Sequence, residues 1–498
     1  MSKDFQLANP NPEFLIKSIA EQGYSLETAL ADLMDNSITA SADRIEVLTN
    51  TEKDPFLLFM ADDGDGMSEK ELLDNMQFPS NSPENKRDND DLGRFGLGLK
   101  TASFSQTRCF TVLSRKKGSH SYKALTWDVN YLKEIGEWRI KINNLKEISE
   151  ILDIYTTASK NHLNQFLDYK PNTIVMWKGL YKFENYIDSS NKSDALYAAI
   201  NERTNQHLSI VFHRFMEDDK RNLKIRINNT LVKPFNPFPS ELRATDAKTR
   251  IFEEDKIKIQ GYVVPNSSIK ESSENLNKWT PSNRSLTDME GIYIYRANRL
   301  IFYGGWNGLI KKMPRLQLAR LKVEIGNKVD TYFHLNVAKS QISIPYDLRR
   351  AFLSAIVDLK KEAQNEYYNR ELKTLANTRR ANKLNFFTKR PTNKGVLILI
   401  NDEFPLLKEL RRGLKPEQRS SLNVILKLAS NMINKIRQVD NIEILENNSP
   451  ENLSIEDVIM AVKELLSQGL TKQQVKNDIL LGLNIDYKQT PELENLLK

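Results

Sequence analysis

The sequence runs to 498 residues, 40% hydrophobic and 28% charged, which suits about two to four domains and excludes a disordered tail. One cysteine, Cys109, and five histidines without HExxH spacing exclude an internal disulfide and a thiolate zinc site, and they leave metallohydrolase and cysteine-protease readings poor. No apolar run reaches the about 18–20 residues of a membrane span, the start MSKDFQLANP lacks a secretory core, and a net charge of +7 leans weakly toward an anionic partner; a cytoplasmic protein without membrane contact is expected.

The first two hundred residues read as mixed α and β. A helix is expected over Glu13–Ala20 and a clearer one from the N-cap Ser25 to Ala40, where Leu26, Ala29, Leu30, Leu33, Met34 and Ile38 recur at helical spacing. A short strand over Arg44–Leu48 and the buried run PFLLFM follow. That run ends in ADDGDGMS, where Ser68 can cap a helix over Glu69–Phe78. The polar stretch PSNSPENKRDNDDLGRFGLG has neither period, and a loop of that length in a compact domain usually has a function. Strand patterns come next at Thr107–Ser114, Tyr122–Val129 and Thr173–Lys178. A second, β-rich block spans about residues 205–345, beginning at LKIRINNTLV. From Pro345 the pattern turns helical, with a long charged helix over Asp347–Leu375, a basic stretch to Arg390, one apolar strand (VLILIND) and further helices.

Three segments in the first hundred residues carry chemistry. Asp32 and Asn36 stand four apart and share a helix face. A carboxylate and an amide oxygen one turn apart can orient water and hold a hard cation such as Mg²⁺, although such a pair alone is more often a solvated face. In Asp62-Asp63-Gly64-Asp65-Gly66-Met67, glycines at alternate positions after a buried strand allow the backbone close to a flat ligand. An acid at the strand end can accept from an exocyclic amine such as that of adenine. A plain hairpin turn is the other reading; an EF-hand loop fails because its twelfth position is Leu73. Gly93, Gly96 and Gly98 precede the helix LKTASFS, whose first N–H groups suit phosphate. The spacing is neither that of a P-loop nor that of a dinucleotide fingerprint.

In combination these segments resemble the GHKL (Bergerat-fold) ATPase superfamily, and within it the MORC-type ATPases and their bacterial relatives. The resemblance rests on LADLMDNSITA, ADDGDGM, GRFGLGLKTAS, NTIVMWKGL, GIYIYRANRLI and NVAKSQ, over about residues 10–350. It implies an α+β protein: a Bergerat-fold α/β sandwich over 1–200, a transducer-like domain of ribosomal-protein-like β-α fold over 201–350, and a mostly helical region over 351–498. It also implies an ATPase using ATP and Mg²⁺. Asp62 would read the adenine amine in the Gly64–Gly66 turn, with Gly66 and Met67 lining the base and Thr173 beside Asp62. Asn36 would hold Mg²⁺. Gly93, Gly96, Gly98, Leu99, Lys100 and Thr101 would form the lid and phosphate segment, and Lys339 would reach the γ-phosphate from the second domain.

Two positions depart from the family pattern. Asp32 stands where the base is usually glutamate and reaches about 1.5 Å less far, which implies slow hydrolysis. Asn172 stands where glycine usually precedes the threonine, and Asp35 matches no catalytic role. The resemblance further implies a homodimer formed on ATP binding that clamps double-stranded DNA, with a nuclease or other defence-system subunit as candidate partner. Basic residues support this in two groups, Arg370–Arg390 and Lys311, Lys312, Arg315, Arg320 and Lys322. The rival class is an ATP-switched protein-interaction or remodelling module that recruits an effector.

Overall fold

The signals that start helices in the sequence start them in the fold. The computed structural model describes residues 10–21, 23–52, 54–78, 98–160, 166–184, 188–252, 255–265, 277–282, 284–326, 329, 332–333, 342–377, 386–392, 395–440, 454–481, 483 and 485–497. Helix α1 covers Pro12–Ala20, opened by the Asn11 side chain and a proline in its first turn. Helix α2 covers Leu26–Thr39, with Ser25 and Thr28 closing a capping box. Ten of the fourteen residues of α2 are buried, Asp32, Asp35 and Ser37 among them, so it is a core helix.

Strands β1 (Arg44–Asn50) and β2 (Leu57–Asp62) pair antiparallel. Then come α3 (Glu69–Met76), α4 (Gly98–Phe104), β3 (Cys109–Ser114), β4 (Lys123–Asp128), α5 (Val129–Ile135), β5 (Lys141–Ile142), α6 (Leu145–Ala158) and β6 (Thr173–Lys178). Short helices α7 (Tyr181–Glu184), α8 (Lys192–Ala198), α9 (Asn205–Val211) and α10 (His213–Glu217) lead to β7 (Lys224–Ile227) and β8 (Thr230–Leu231). The sheet order is β5-β4-β3-β6-β2-β1-β7-β8. Strand β2 reads as an unbroken apolar run because both of its faces are covered. Leu58 and Met60 pack in the core with α2, while Phe59 and Ala61 pack with Ile148 and Tyr155 of α6.

The LKIRI strand, expected to open the second block, instead pairs parallel with β1 as β7 and so belongs to the first sheet. The second sheet is built from β9 (Arg243–Ala244), β10 (Lys248–Phe252), β11 (Asp255–Val263), β12 (Gly291–Arg296), β13 (Arg299–Tyr303) and β14 (Ala319–Ile325), in the order β10-β11-β14-β12-β13 with β9 on β11. The helix Tyr346–Asn377 packs Phe352, Ile356 and Leu359 into the core of this sheet. Arg320, expected in a basic surface group, is fully buried, and its guanidinium donates to the carbonyls of Pro237 and Trp279. Its strand is covered on both sides there, so the charge is used inside the fold. Lys311 and Lys312 are exposed.

The chain divides into two compact units, residues 1–370 and 371–498. In the second, strands Phe387–Thr392 and Gly395–Ile400 form a two-stranded sheet. The Asn434 side chain, on the helix Pro416–Asp440, both donates to and accepts from the backbone of Ile398 and so caps the edge of that sheet. The helices Ile455–Ser467 and Pro491–Leu497 complete a small core. The basic side chains of Arg370–Arg390 lie outside the described residues.

Within the first unit, helix α2 also meets the second sheet. Arg299, the first residue of β13, donates from Nε to Asp35 Oδ1 at 2.7 Å, and both side chains are buried. Removing one member of such a pair strands the other's charge in a dry interior. Arg299→Met is expected to lower unfolding free energy by about 3–5 kcal/mol, and Asp35→Leu combined with Arg299→Met to recover most of it. Urea denaturation followed by circular dichroism measures both.

Candidate active site

Three polar side chains leave α2 toward one end of the first sheet. Asp32 is buried, Asn36 one turn on is exposed, and Ser37 is buried again. The Tyr24 hydroxyl donates to Asp32 Oδ2 at 3.1 Å. Asn36 makes no side-chain hydrogen bond among the described residues and is exposed on a mostly buried helix. Asp35 turns the other way, to Arg299. The resemblance implies no catalytic role for it, and its geometry is that of an anchor.

Helix α4 begins against Asp32. A Cβ on Gly98 would lie 2.7 Å from Asp32 Oδ2, so only glycine lets the first turn of α4 approach the carboxylate this closely. Thr101 Oγ1 donates to the Gly98 carbonyl at 3.3 Å, and Leu99 packs partly buried on the core. Lys100 is buried, with its ammonium donating to the Asn75 carbonyl at 2.7 Å and lying 5.4 Å from the centre of the Phe78 ring. Burial brings its pKa down to about 8. Gly93, Gly96 and Lys339 lie outside the described residues.

The other half of the site is a polar row across three strand ends. Asp62 faces Thr173 across β2 and β6, and Thr173 faces Ser114 across β6 and β3. Ser114 Oγ lies 3.0 Å from Thr173 Oγ1 and accepts from the Met67 N–H at 2.9 Å. Asp62 Oδ2 accepts from Ser37 Oγ at 2.8 Å and Oδ1 from the Gly64 N–H at 3.0 Å. Helix α2 thus supports both carboxylates, Asp32 directly and Asp62 through Ser37.

The glycines of the turn are required by space. A Cβ on Gly64 would lie 2.6 Å from the Ala40 carbonyl, and Gly66, at φ +63°, would meet the Arg115 carbonyl at 1.8 Å. Asp63 is bound to Arg44 through its backbone N–H and Nε, both at 2.8 Å, and takes no part in the row. Asn172 braces the turn. Its N–H donates to the Asp62 carbonyl at 2.7 Å, its Nδ2 to the Gly64 carbonyl at 2.8 Å, and its Oδ1 accepts from Arg115 Nε at 3.2 Å. Tyr24 and Ser114 lie outside the sequence motifs and Ser37 within the first of them, yet all three hold groups of the site, and Asn172, a departure from the family pattern, is a brace. Only Ser37, one residue past Asn36 on a buried helix, carried a local signal.

Burial pushes the Asp62 carboxyl up to about 6, against the hydrogen bonds from Ser37 and Gly64, which pull it down. A carboxyl whose native pKa exceeds its unfolded value of 3.8 holds its proton longer in the folded state. Its contribution to stability is therefore full below pH 3.8 and is lost as pH rises through 6. Between those limits the wild type is expected to lose up to about 3 kcal/mol that Asp62→Asn does not, as read from urea denaturation at pH 4 and pH 7.

Residues 24–160 match the family described as histidine kinase-, DNA gyrase B-, and HSP90-like ATPase. The chain is also 31% identical over 96 residues to the ATPase MORC2B of Mus musculus, covering 19% of this chain and 9% of that protein. To the chaperone protein HtpG of Ruthia magnifica subsp. Calyptogena magnifica it is 25% identical over 211 residues, covering 39% of this chain and 31% of that protein. The chain thus spans less than a third of either relative. Helix α2, the Asp62 turn and the start of α4 all fall inside the family match, and the stretch that contains them is a GHKL-type ATPase domain.

Proposed function

We propose that the protein binds ATP with Mg²⁺ and hydrolyses it slowly, and that nucleotide-driven dimerisation makes it a clamp on double-stranded DNA in bacterial genome defence or DNA maintenance. The observation that carries the ATPase reading is the sharing of α2: one helix presents Asp32 and Asn36 and, through Ser37, holds Asp62. In this reading Asp62 accepts from the adenine amine, with Thr173, Gly64, Gly66 and Met67 around the base. Gly98, Leu99, Lys100 and Thr101, with Gly93 and Gly96, serve the phosphates, and Asp32 orients the attacking water. Lys339, from a transducer-like second domain, adds a cation to the γ-phosphate. Asn36 fits a hard cation because it is exposed and its side chain makes no hydrogen bond among the described residues. Mg²⁺ bound there would neutralise phosphate charge.

Exposed Lys311 and Lys312 support DNA as the client, but burial of Arg320 weakens that basic group. The rival reading, an ATP-switched module recruiting an effector such as a nuclease subunit, gains from exposed Leu406, Leu410, Ile425 and Met432 on helices of the C-terminal unit. No helix among the described residues is long and apolar enough to cross a membrane.

Measuring dimerisation and ATPase rate with and without DNA tests these readings. Wild type is expected to dimerise with ATP and turn over slowly. Asp32→Ala should bind ATP with turnover cut to a small residual rate, and Asn36→Ala should lose the Mg²⁺-dependent part of its affinity. Unchanged binding and turnover in both variants would remove the site. Trapping on circular DNA by ATP favours the clamp; its absence favours the effector module.

A further inference from the structure

Tyr24 stands just before the N-cap of α2 and is fixed at both ends. Its carbonyl accepts from Lys182 Nζ at 2.6 Å, the residue is 3% exposed, and its hydroxyl donates to Asp32 Oδ2 at 3.1 Å and lies 3.5 Å from Thr101 Oγ1 on α4. The hydroxyl therefore sits where the first turn of α4 meets the carboxylate. Burial, and next the charge of Asp32, hold the phenol far above its ordinary pKa, so it remains a donor at neutral pH and keeps its proton. A hydrogen bond to one carboxylate oxygen restricts rotation of the side chain and aims the other.

We propose that Tyr24 is a positioning residue for the ATPase reaction: its hydroxyl fixes the orientation of the Asp32 carboxylate relative to the attacking water. The inference rests on Asp32 being the base, as proposed above. An aspartate at this place has less reach than a glutamate, so its orientation tolerates less error, and displacement by about 1 Å can cost 10²-fold in rate.

The test uses the full chain as wild type, Tyr24→Phe, Asp32→Ala and the double variant, with ATP affinity, kcat and melting temperature measured for each. Phenylalanine keeps the buried ring, so the fold and the ATP dissociation constant should hold within about twofold while kcat falls about tenfold or more. In the Asp32→Ala background Tyr24→Phe should change the residual rate by less than about twofold, because the group it acts through is gone. A purely packing role predicts equal losses in both backgrounds, and that result overturns the proposal, as does an unchanged kcat in Tyr24→Phe. Equal rates for wild type and Asp32→Ala overturn the base assignment and Tyr24's role together. Unequal rates with an inert Tyr24→Phe overturn Tyr24 alone.

Discussion

A carboxylate removed from water has to be met by a cation or by hydrogen-bond donors, and for Asp35 the partner is a cation, Arg299, brought from the second sheet to the middle of α2. This fixes where α2 can sit. The helix is wedged against the first sheet by Leu30, Leu33, Met34 and Ile38, and the ion pair ties its remaining side to β13. Every other polar group on the helix then falls into place by helical geometry. Asp32 and Asn36 flank the anchor at one turn's separation, and Ser37 reaches the Asp62 strand end. Dispersion and burial alone would tolerate small rotations of such a helix. A buried pair with a directional hydrogen bond does not.

The same logic explains how the site divides. Carboxylates at its two ends meet different surroundings: Asp62 is held by a hydroxyl and a backbone N–H in a dry row of side chains, and Asp32 by a phenol next to the start of α4. Asp62 and Asp63 are adjacent and chemically identical. The fold separates them by binding Asp63 to Arg44 and leaving Asp62 at the strand end.

Much of this was legible from local pattern. The α2 cap and period, the buried β2 run and the glycine-rich turn each combine a short-range signal with a physical requirement, and each stands within a residue or two of its expected place. Pairings made at long range were not legible. Strand β7 pairs with β1 only after the chain has passed through several helices, so LKIRI reads as part of the second β-rich block while it pairs in the first sheet. Asn172 is a neutral residue in a strand lead-in until the turn it braces arrives beside it. Charge counting failed at Arg320 because composition does not say which side of a covered strand a residue takes. Helix α6 is different: Asn144, Ile148, Ile151, Leu152 and Tyr155 spell a cap and an apolar stripe, a signal that is local and complete.

The bracing of the Asp62 turn has a thermodynamic meaning. The turn is held to Ala40, Arg44, Lys117 and Asn172, and its glycines are locked by neighbouring carbonyls. A segment so restrained has little conformational entropy left to lose when a planar ligand docks on it. Recognition at that end of the site would therefore resemble a rigid mould meeting its cast, with the heat released by new polar contacts only weakly offset by ordering of the chain.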